Sequence, residues 1–374
     1  MDAKILEGKV KVKNELLPRE RVKMAIEHQE PDRPPIQFYA TPEVKKLLTD
    51  YFKGQDLKEV FEVDFRYVGP KPLKKPKKPL PGSGIDMYDM WGAGYKNSPY
   101  HLDAIDMSGT YPEPVYLPFA NFKTMDEVEN YPWPSPDDFD YSVIPDQIKR
   151  NEGFAIVLGN AGIPDIINGA GVRGRGMAQL LMDIALQDEV GISIIDHRVN
   201  FWYEYLRRGL EAGQGKIDIV HLGEDLGTQK GLMVSPEMFD SFFRPRYQRF
   251  FDLAHSYGAK VWLHSCGSTY FLHSRFIEMG LDVLDSVQTE PANMDPERLK
   301  REFGDKLTYC GMIDTQRLLP YGTVEECRAV ARHRIKVIGK GGGYIFCPSH
   351  DIQIDAPLEN ILAIYEEATG KKFM

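Results

Sequence analysis

Cysteine is scarce: only Cys266, Cys310, Cys327 and Cys347 occur among 374 residues, too few to staple a secreted fold. In a reducing compartment such thiols serve as core residues, metal ligands or nucleophiles. No run of eighteen apolar residues exists, so no helix spans a membrane. The first twenty residues alternate charges with single apolar positions and lack an apolar leader core, and the chain reads as cytoplasmic. Basic charge is also short. Forty-six Lys and Arg face 55 Asp and Glu, for a net charge of −9, opposite to the field of a nucleic-acid binder. Glycine spacing of the dinucleotide or P-loop type is missing too. Gly171-Val-Arg-Gly-Arg-Gly176 fits neither pattern and reads as a turn before a helix.

What remains is an ordinary globular composition, 42% apolar and 27% charged. A helical pattern over 18–28 stops before Pro31-Asp-Arg-Pro-Pro35, where consecutive prolines force extended backbone. One or two further helices follow over 40–65, ending in a short strand near 63–68. From 69 to 142 prolines and aromatics are frequent, and the segment reads as a β-rich insertion. Its run Lys71-Pro-Leu-Lys-Lys-Pro-Lys-Lys-Pro79 is a solvated loop or, in a functional reading, a docking patch for an acidic partner. Its many rings, Trp91 among them, either pack it onto its host or wall a pocket.

From Gly153 onward short apolar runs alternate with helical stretches, the mark of βα units and a parallel sheet. Strands are predicted at 154–158, 217–222, 259–263, 283–287, 307–312 and 344–347. The helices predicted between them lie at 188–212, 236–256, 269–279, 296–303 and 324–338. With one or two strands from the N-terminal third the count reaches about eight. The predicted fold is therefore an α/β, TIM (β/α)8 barrel with an N-terminal helical segment and an aromatic, proline-rich insertion, in one domain over 1–374.

Such barrels build their sites from the loops after the strands. Here those positions are polar: Glu224 and Asp225, His264-Ser-Cys-Gly267, Gln288 and Glu290, Asp314, then Cys347, Ser349, His350 and Asp351. His264 and Cys266, two apart on extended chain, point to the same side. An imidazole and a thiolate side by side suit zinc by softness and geometry. A core cysteine beside a structural histidine, and a Cys–His nucleophile, are the competing readings. The third ligand is open between Cys347, the softer donor but within the predicted last strand, and His350, three residues later in a loop. Glu224 or Asp225 could complete the coordination or move a proton; a capping or loop acidic pair is the plainer alternative. Cys310 and Cys327 read as structural.

With these residues in view, the chain resembles the uroporphyrinogen decarboxylase superfamily, in its branch of zinc-dependent, corrinoid-linked methyltransferases. The resemblance rests on Pro18-Arg-Glu-Arg-Val22, Pro31-Asp-Arg-Pro34, Gly223-Glu-Asp-Leu-Gly-Thr-Gln229 and Ser235-Pro-Glu-Met-Phe239. It continues through Gly258-Ala-Lys-Val-Trp-Leu-His-Ser-Cys-Gly267, Gly311-Met-Ile-Asp-Thr-Gln316, Pro348-Ser-His350 and Pro357-Leu-Glu-Asn-Ile361. It implies a TIM barrel and a zinc site at His-x-Cys-Gly, a motif that the true decarboxylases lack. Members that methylate coenzyme M use a cysteine as third ligand ahead of the Glu359-Asn360 segment; here His350 holds that place, with Cys347 close by. True decarboxylases grip their substrate's carboxylates with an arginine-rich stretch, and the corresponding Ile36-Gln-Phe-Tyr-Ala-Thr41 has none.

The resemblance further implies a corrinoid (cobalamin) carried on a separate protein, since Asp252-Leu-Ala-His-Ser-Tyr-Gly258 misses the cobalamin signature by one residue. The expected function is methyl transfer between a small methyl donor and the cobalt of that corrinoid protein. A methoxylated aromatic (O-demethylation) is the first substrate expected. Transfer from methylcobamide to a small thiol is the alternative, and a cofactor-free decarboxylase or a non-enzymatic binding barrel are the rivals. The expected partners are the corrinoid protein and the small-molecule donor or thiol, with neither nucleic acid nor membrane.

Overall fold

Runs of apolar residues without alternation belong to strands buried on both faces, and these make the centre of the molecule. The structure, a computed structural model, describes residues 16–102 and 107–373. Among these residues the main sheet has seven parallel strands. They are β1 (Phe65–Val68), β2 (Ala155–Pro164), β3 (Ile219–Gly223), β4 (Lys260–His264), β5 (Val283–Val287), β6 (Thr308–Ile313) and β7 (Tyr344–Pro348). Each pairs with the next in sequence order, as a TIM-barrel-like sheet requires. The interior is filled by side chains: Phe65 of β1 meets the fully buried Trp262 of β4 edge-on, ring centroids 5.1 Å apart.

The expected eighth strand is a correction. Between β7 and β1 runs the segment around Ile36, joined by single bridges rather than a ladder. Phe346 N–H donates to Pro35, Gln37 N–H donates to Phe346, and Asp64 N–H donates to Ile36, at 2.8, 2.9 and 3.0 Å. Pro34 and Pro35 have no N–H to give, so this stave closes the ring without becoming a regular strand.

Helices cover the outside, and their ends follow local chemistry. Asp188 caps the long helix Glu189–Gly213 by accepting from Gly191 N–H, and Asp295 caps Pro296–Phe303 through Arg298 N–H. Ser235 caps its helix as expected, accepting from Met238 N–H. The single helix predicted over 236–256 is broken, however, by a wide turn at Phe239–Phe243 before Arg244–Ser256 begins. Pro245 cannot donate to the carbonyl one turn back, so the α ladder is interrupted there. The helix predicted over 324–338 likewise widens at Arg334–Ile338. The glycine-rich stretch ending at Gly176 is also more helical than expected: a wide helix spans Ile166–Arg175, and only Gly176, at φ +90°, makes the turn.

The aromatic segment after β1 carries an antiparallel hairpin, Gly94–Leu102 with Met107–Tyr116. Its Trp91 is buried against Phe201 and Trp202 of the long helix, centroids 5.0 and 6.1 Å away, with the Arg198 guanidinium over the ring at 4.8 Å. These rings fix the segment to its host. The lysine run is exposed, with Lys74 paired to Asp138 at 2.7 Å.

Candidate metal centre

Alternation along each strand sends every second side chain into the barrel, and near the carboxyl ends of the strands those side chains are polar. Tyr67 on β1, His221 on β3, His264 on β4 and Asp285 on β5 meet at this level. Tyr67 Oη lies 3.1 Å from His221 Nδ1, and His264 Nδ1 lies 3.2 Å from Asp285 Oδ2. Just beyond β4 the chain turns through Ser265-Cys-Gly267. Gly267 has φ +77°, and a Cβ there would meet the Gly227 carbonyl carbon at 2.5 Å. Only glycine lets this turn lie against the 227 loop and bring Cys266 back over His264.

The donor atoms of His264, Cys266 and His350 fall within 4.8 Å of one another, and the two imidazole rings are 6.1 Å apart. His264 Nε2 stands 3.4 Å from Cys266 Sγ. Zinc–nitrogen and zinc–sulfur bonds of about 2.0–2.1 and 2.3 Å, set at a tetrahedral angle, space such a pair at about 3.5 Å. The carboxylate of Asp285 on the far nitrogen of His264 is the support that metal-bound histidines usually have. The residues therefore fit a zinc ion held by three protein donors with a position left open.

Electrostatics agree with a site built for a cation. Burial pushes the Cys266 thiol up, but hydrogen bonds from His264 and His350 outweigh it and pull the thiol below its ordinary range. His350 is raised by its bond to Cys266, against burial. Burial would lower His264, yet Asp285 and Cys266 raise it well above a free imidazole.

Other residues singled out from the sequence part company here. Cys347 is fully buried inside β7, outside the donor group, with its thiol bonded to Cys310 and pushed up to about 11 by burial. Asp225 stays at the centre: its Oδ1 accepts from Cys266 N–H at 3.0 Å and lies 3.9 Å from His264 Nε2. Its Oδ2 accepts from Asn168 at 2.9 Å. Burial raises this carboxyl, but the Cys266 N–H and the His264 charge hold it below the usual range, so it stays ionised.

Glu224 points the other way. Its carboxyl accepts from Ile166 and Ile167 N–H at 2.8 and 2.9 Å and lies 2.7 Å from Tyr247 Oη. Burial, with Asp165 nearby, pushes it up. The Tyr247 hydroxyl, with one proton, has both the Glu224 carboxyl and the Gly223 carbonyl, at 2.8 Å, as acceptors. This residue anchors the wide helix that carries Asn168. Asp314 caps a turn by accepting from Gln316, Arg317 and Leu318 N–H, and Glu290 pairs with Arg317.

Beside the donor cluster lies a cavity of about 410 Å³, lined by Tyr39, Tyr67, His221, Asp285, His264 and His350 among others. Among the described residues lining it none is Arg or Lys. Trp91 is not part of this wall; the rings that face the cavity come from the barrel itself. Asp285, His221 and Tyr67 were missed in the sequence because they sit inside strands. An Asp within Val-Leu-Asp-Ser-Val and a His within Ile-Val-His-Leu were the available signal, since a polar residue in a buried strand needs a partner or a purpose.

Comparison with known proteins bears on this arrangement. The family model described as uroporphyrinogen decarboxylase (URO-D) matches residues 135–370. No curated protein sequence matches the chain. Among solved structures, a methyltransferase from Methanosarcina mazei is similar over 95% of this chain and 99% of its own, with 17% identity and a TM-score of 0.59, which establishes a common fold. The IOLI protein, described with a binding zinc atom, aligns over 66% of this chain and 82% of its own, with 16% identity and a TM-score of 0.33.

Proposed function

We propose, from the premise that this chain belongs to the uroporphyrinogen decarboxylase family, that it is a zinc-dependent methyltransferase. It would move a methyl group between a small donor and the cobalt of a corrinoid carried on a separate protein. The observation that carries this reading is the convergence of His264, Cys266 and His350 beside a cavity without Arg or Lys. A decarboxylase acting on a many-carboxylate substrate needs basic groups in that wall, and their absence speaks against it.

The ion, held by His264, Cys266 and His350, would supply Lewis acidity to the heteroatom that bears or receives the methyl group. The chain's own residues do the rest. Asp285 fixes the His264 ring by accepting from Nδ1, which leaves Nε2 directed at Cys266. Asp225, ionised and held by Cys266 N–H and Asn168, is placed to take or return the proton of the heteroatom. The rings of Tyr39, Tyr67 and His221 give the cavity flat apolar faces, which favours a methoxylated aromatic as the donor.

The test has two parts. Zinc per chain is measured by elemental analysis on wild type and on His264→Ala, Cys266→Ala and His350→Ala, with one zinc expected in wild type and a loss in each variant. The zinc-loaded protein is then offered methoxyarenes and small thiols with reduced or methylated cobalamin. Failure of every donor and acceptor would sink the transferase reading, and turnover with thiols alone would reverse its direction.

A further inference from the structure

Two adjacent carboxylates after β3 hold one turn of the wide helix Ile166–Arg175. Glu224 takes the N–H groups of Ile166 and Ile167, at 2.8 and 2.9 Å. Asp225 Oδ2 takes the side chain of the next residue, accepting from Asn168 Nδ2 at 2.9 Å. Gly169 extends the hold: a Cβ there would come within 2.2 Å of the buried Arg198 guanidinium, so the chain lies flat on that group. Wide turns of this kind are rare and recur at functional sites. This one brings a half-buried amide, Asn168, to the carboxylate on the Nε2 side of His264.

The place of that carboxylate is close to the donor group without belonging to it. Asp225 Oδ1 lies 3.9 Å from His264 Nε2, whereas nitrogen and oxygen ligands of one tetrahedral zinc stand about 3.4 Å apart. The donor group itself is His264, Cys266 and His350. Carboxylate oxygens are ordinary zinc ligands, so an ionised Asp225 at this distance needs a reason to stay out. Both of its oxygens are engaged, Oδ1 by Cys266 N–H at 3.0 Å and Oδ2 by Asn168. The first bond comes from the turn that carries the ligand and moves with it. The second comes from another element and ties the carboxylate to the wall of the barrel. Anchoring the helix does not require Asn168, since Glu224 does so through two backbone bonds.

We infer that Asn168 is a positioning residue that keeps Asp225 out of the metal's coordination shell, leaving the fourth position exchangeable and the carboxylate free to move a proton. The inference rests on the reading of His264, Cys266 and His350 as zinc ligands.

The experiment is metal titration of the full chain against a chromogenic chelator, with zinc for affinity and cobalt(II) for its visible absorption. It compares wild type, Asn168→Ala, Asp225→Asn and the double variant. The bond that restrains Asp225 goes to a charged acceptor, so Asn168→Ala, which releases it, should bind zinc about tenfold more tightly. Its cobalt spectrum should shift as a carboxylate replaces the exchangeable ligand, while Asp225→Asn keeps the wild-type spectrum. The double variant should return to wild-type affinity and spectrum, which loss of a merely structural contact would not produce. Asn168→Asp, nearly the same shape, removes the donor and sets a second carboxylate against Asp225. It should behave as Asn168→Ala does, and serves if that variant does not fold. Unchanged or weaker zinc binding on loss of the amide, or a changed spectrum in Asp225→Asn, would overturn the inference alone. Absence of metal binding in wild type would overturn it together with the zinc reading.

Discussion

The Oδ2 atom of Asp285 lies 3.2 Å from His264 Nδ1 and 3.7 Å from His221 Nε2, so one buried carboxylate stands between the His264–Cys266–His350 cluster and the wall of the cavity. Its charge is sustained there. Burial raises the carboxyl, but the bond and charge of His264 hold it below the usual range. Asp285→Asn should therefore weaken zinc binding by about 10–100-fold, the effect of removing a carboxylate behind a liganding histidine. Competition with a chromogenic chelator measures this; unchanged affinity would mean that Asp285 does not serve the ligand.

Cys347→Ser should leave zinc content intact, whereas His350→Ala should remove it. The two residues are three apart, yet one is sealed in β7 and the other belongs to the donor group. Elemental analysis separates them directly.

Asp225→Asn should keep the metal and lose turnover by about 10²–10⁴-fold, the range for a positioned proton-transfer group. The pairing with Cys266 N–H survives in the amide, so the fold around the turn is preserved. A variant with full turnover would remove Asp225 from the chemistry.

Glu224→Gln and Glu224→Ala should differ in degree. Both carboxyl oxygens accept from backbone N–H and the amide has one oxygen, so Glu224→Gln leaves one of Ile166 and Ile167 N–H facing its own NH2 group and should cost about 1–2 kcal/mol. The alanine variant strands Ile166 and Ile167 N–H and should cost about 3 kcal/mol. Urea unfolding of the two variants is the check.

His273 supplies a pH dependence far from the cluster. It is wholly buried between Thr269 and Tyr309, and burial drives its pKa down to about 3 from an ordinary 6.5. The folded chain keeps this imidazole neutral while the unfolded chain protonates it between those values. Its contribution is therefore complete above about pH 6.5 and is lost as pH falls, by up to about 1.4 kcal/mol per unit. Wild type and His273→Gln should diverge accordingly in unfolding midpoints between pH 7.5 and 5. Parallel curves would contradict the assignment.

Much of this architecture was legible because parallel strands announce themselves as apolar runs. Val283–Val287 and Pro296–Phe303 fall where hydrophobic pattern and capping residues put them. His264 and Cys266 were legible as well, being polar residues just where a buried strand ends. Which of Glu224 and Asp225 faces the cluster was not legible, because adjacent positions on extended chain face opposite sides and the sequence does not say which side is the cavity. His221 and Asp285 escaped because a site residue inside a strand interrupts the very pattern used to find strands. The closing stave at Ile36 escaped for a different reason: its prolines mark it as irregular, and only the vacant place between β7 and β1 gives it a partner.

That stave has a consequence for how the molecule comes into being. Gln37, beside it, accepts a hydrogen bond from Tyr365 of the last helix, 328 positions away along the chain. His350 likewise emerges only after the final strand. A nascent chain thus holds neither a closed ring nor the full His264–Cys266–His350 cluster until the segment with His350 and Tyr365 leaves the ribosome. Products shortened before Tyr344–Pro348 should be recognised by proteases as unfinished, and metal loading should follow completion of synthesis rather than accompany it.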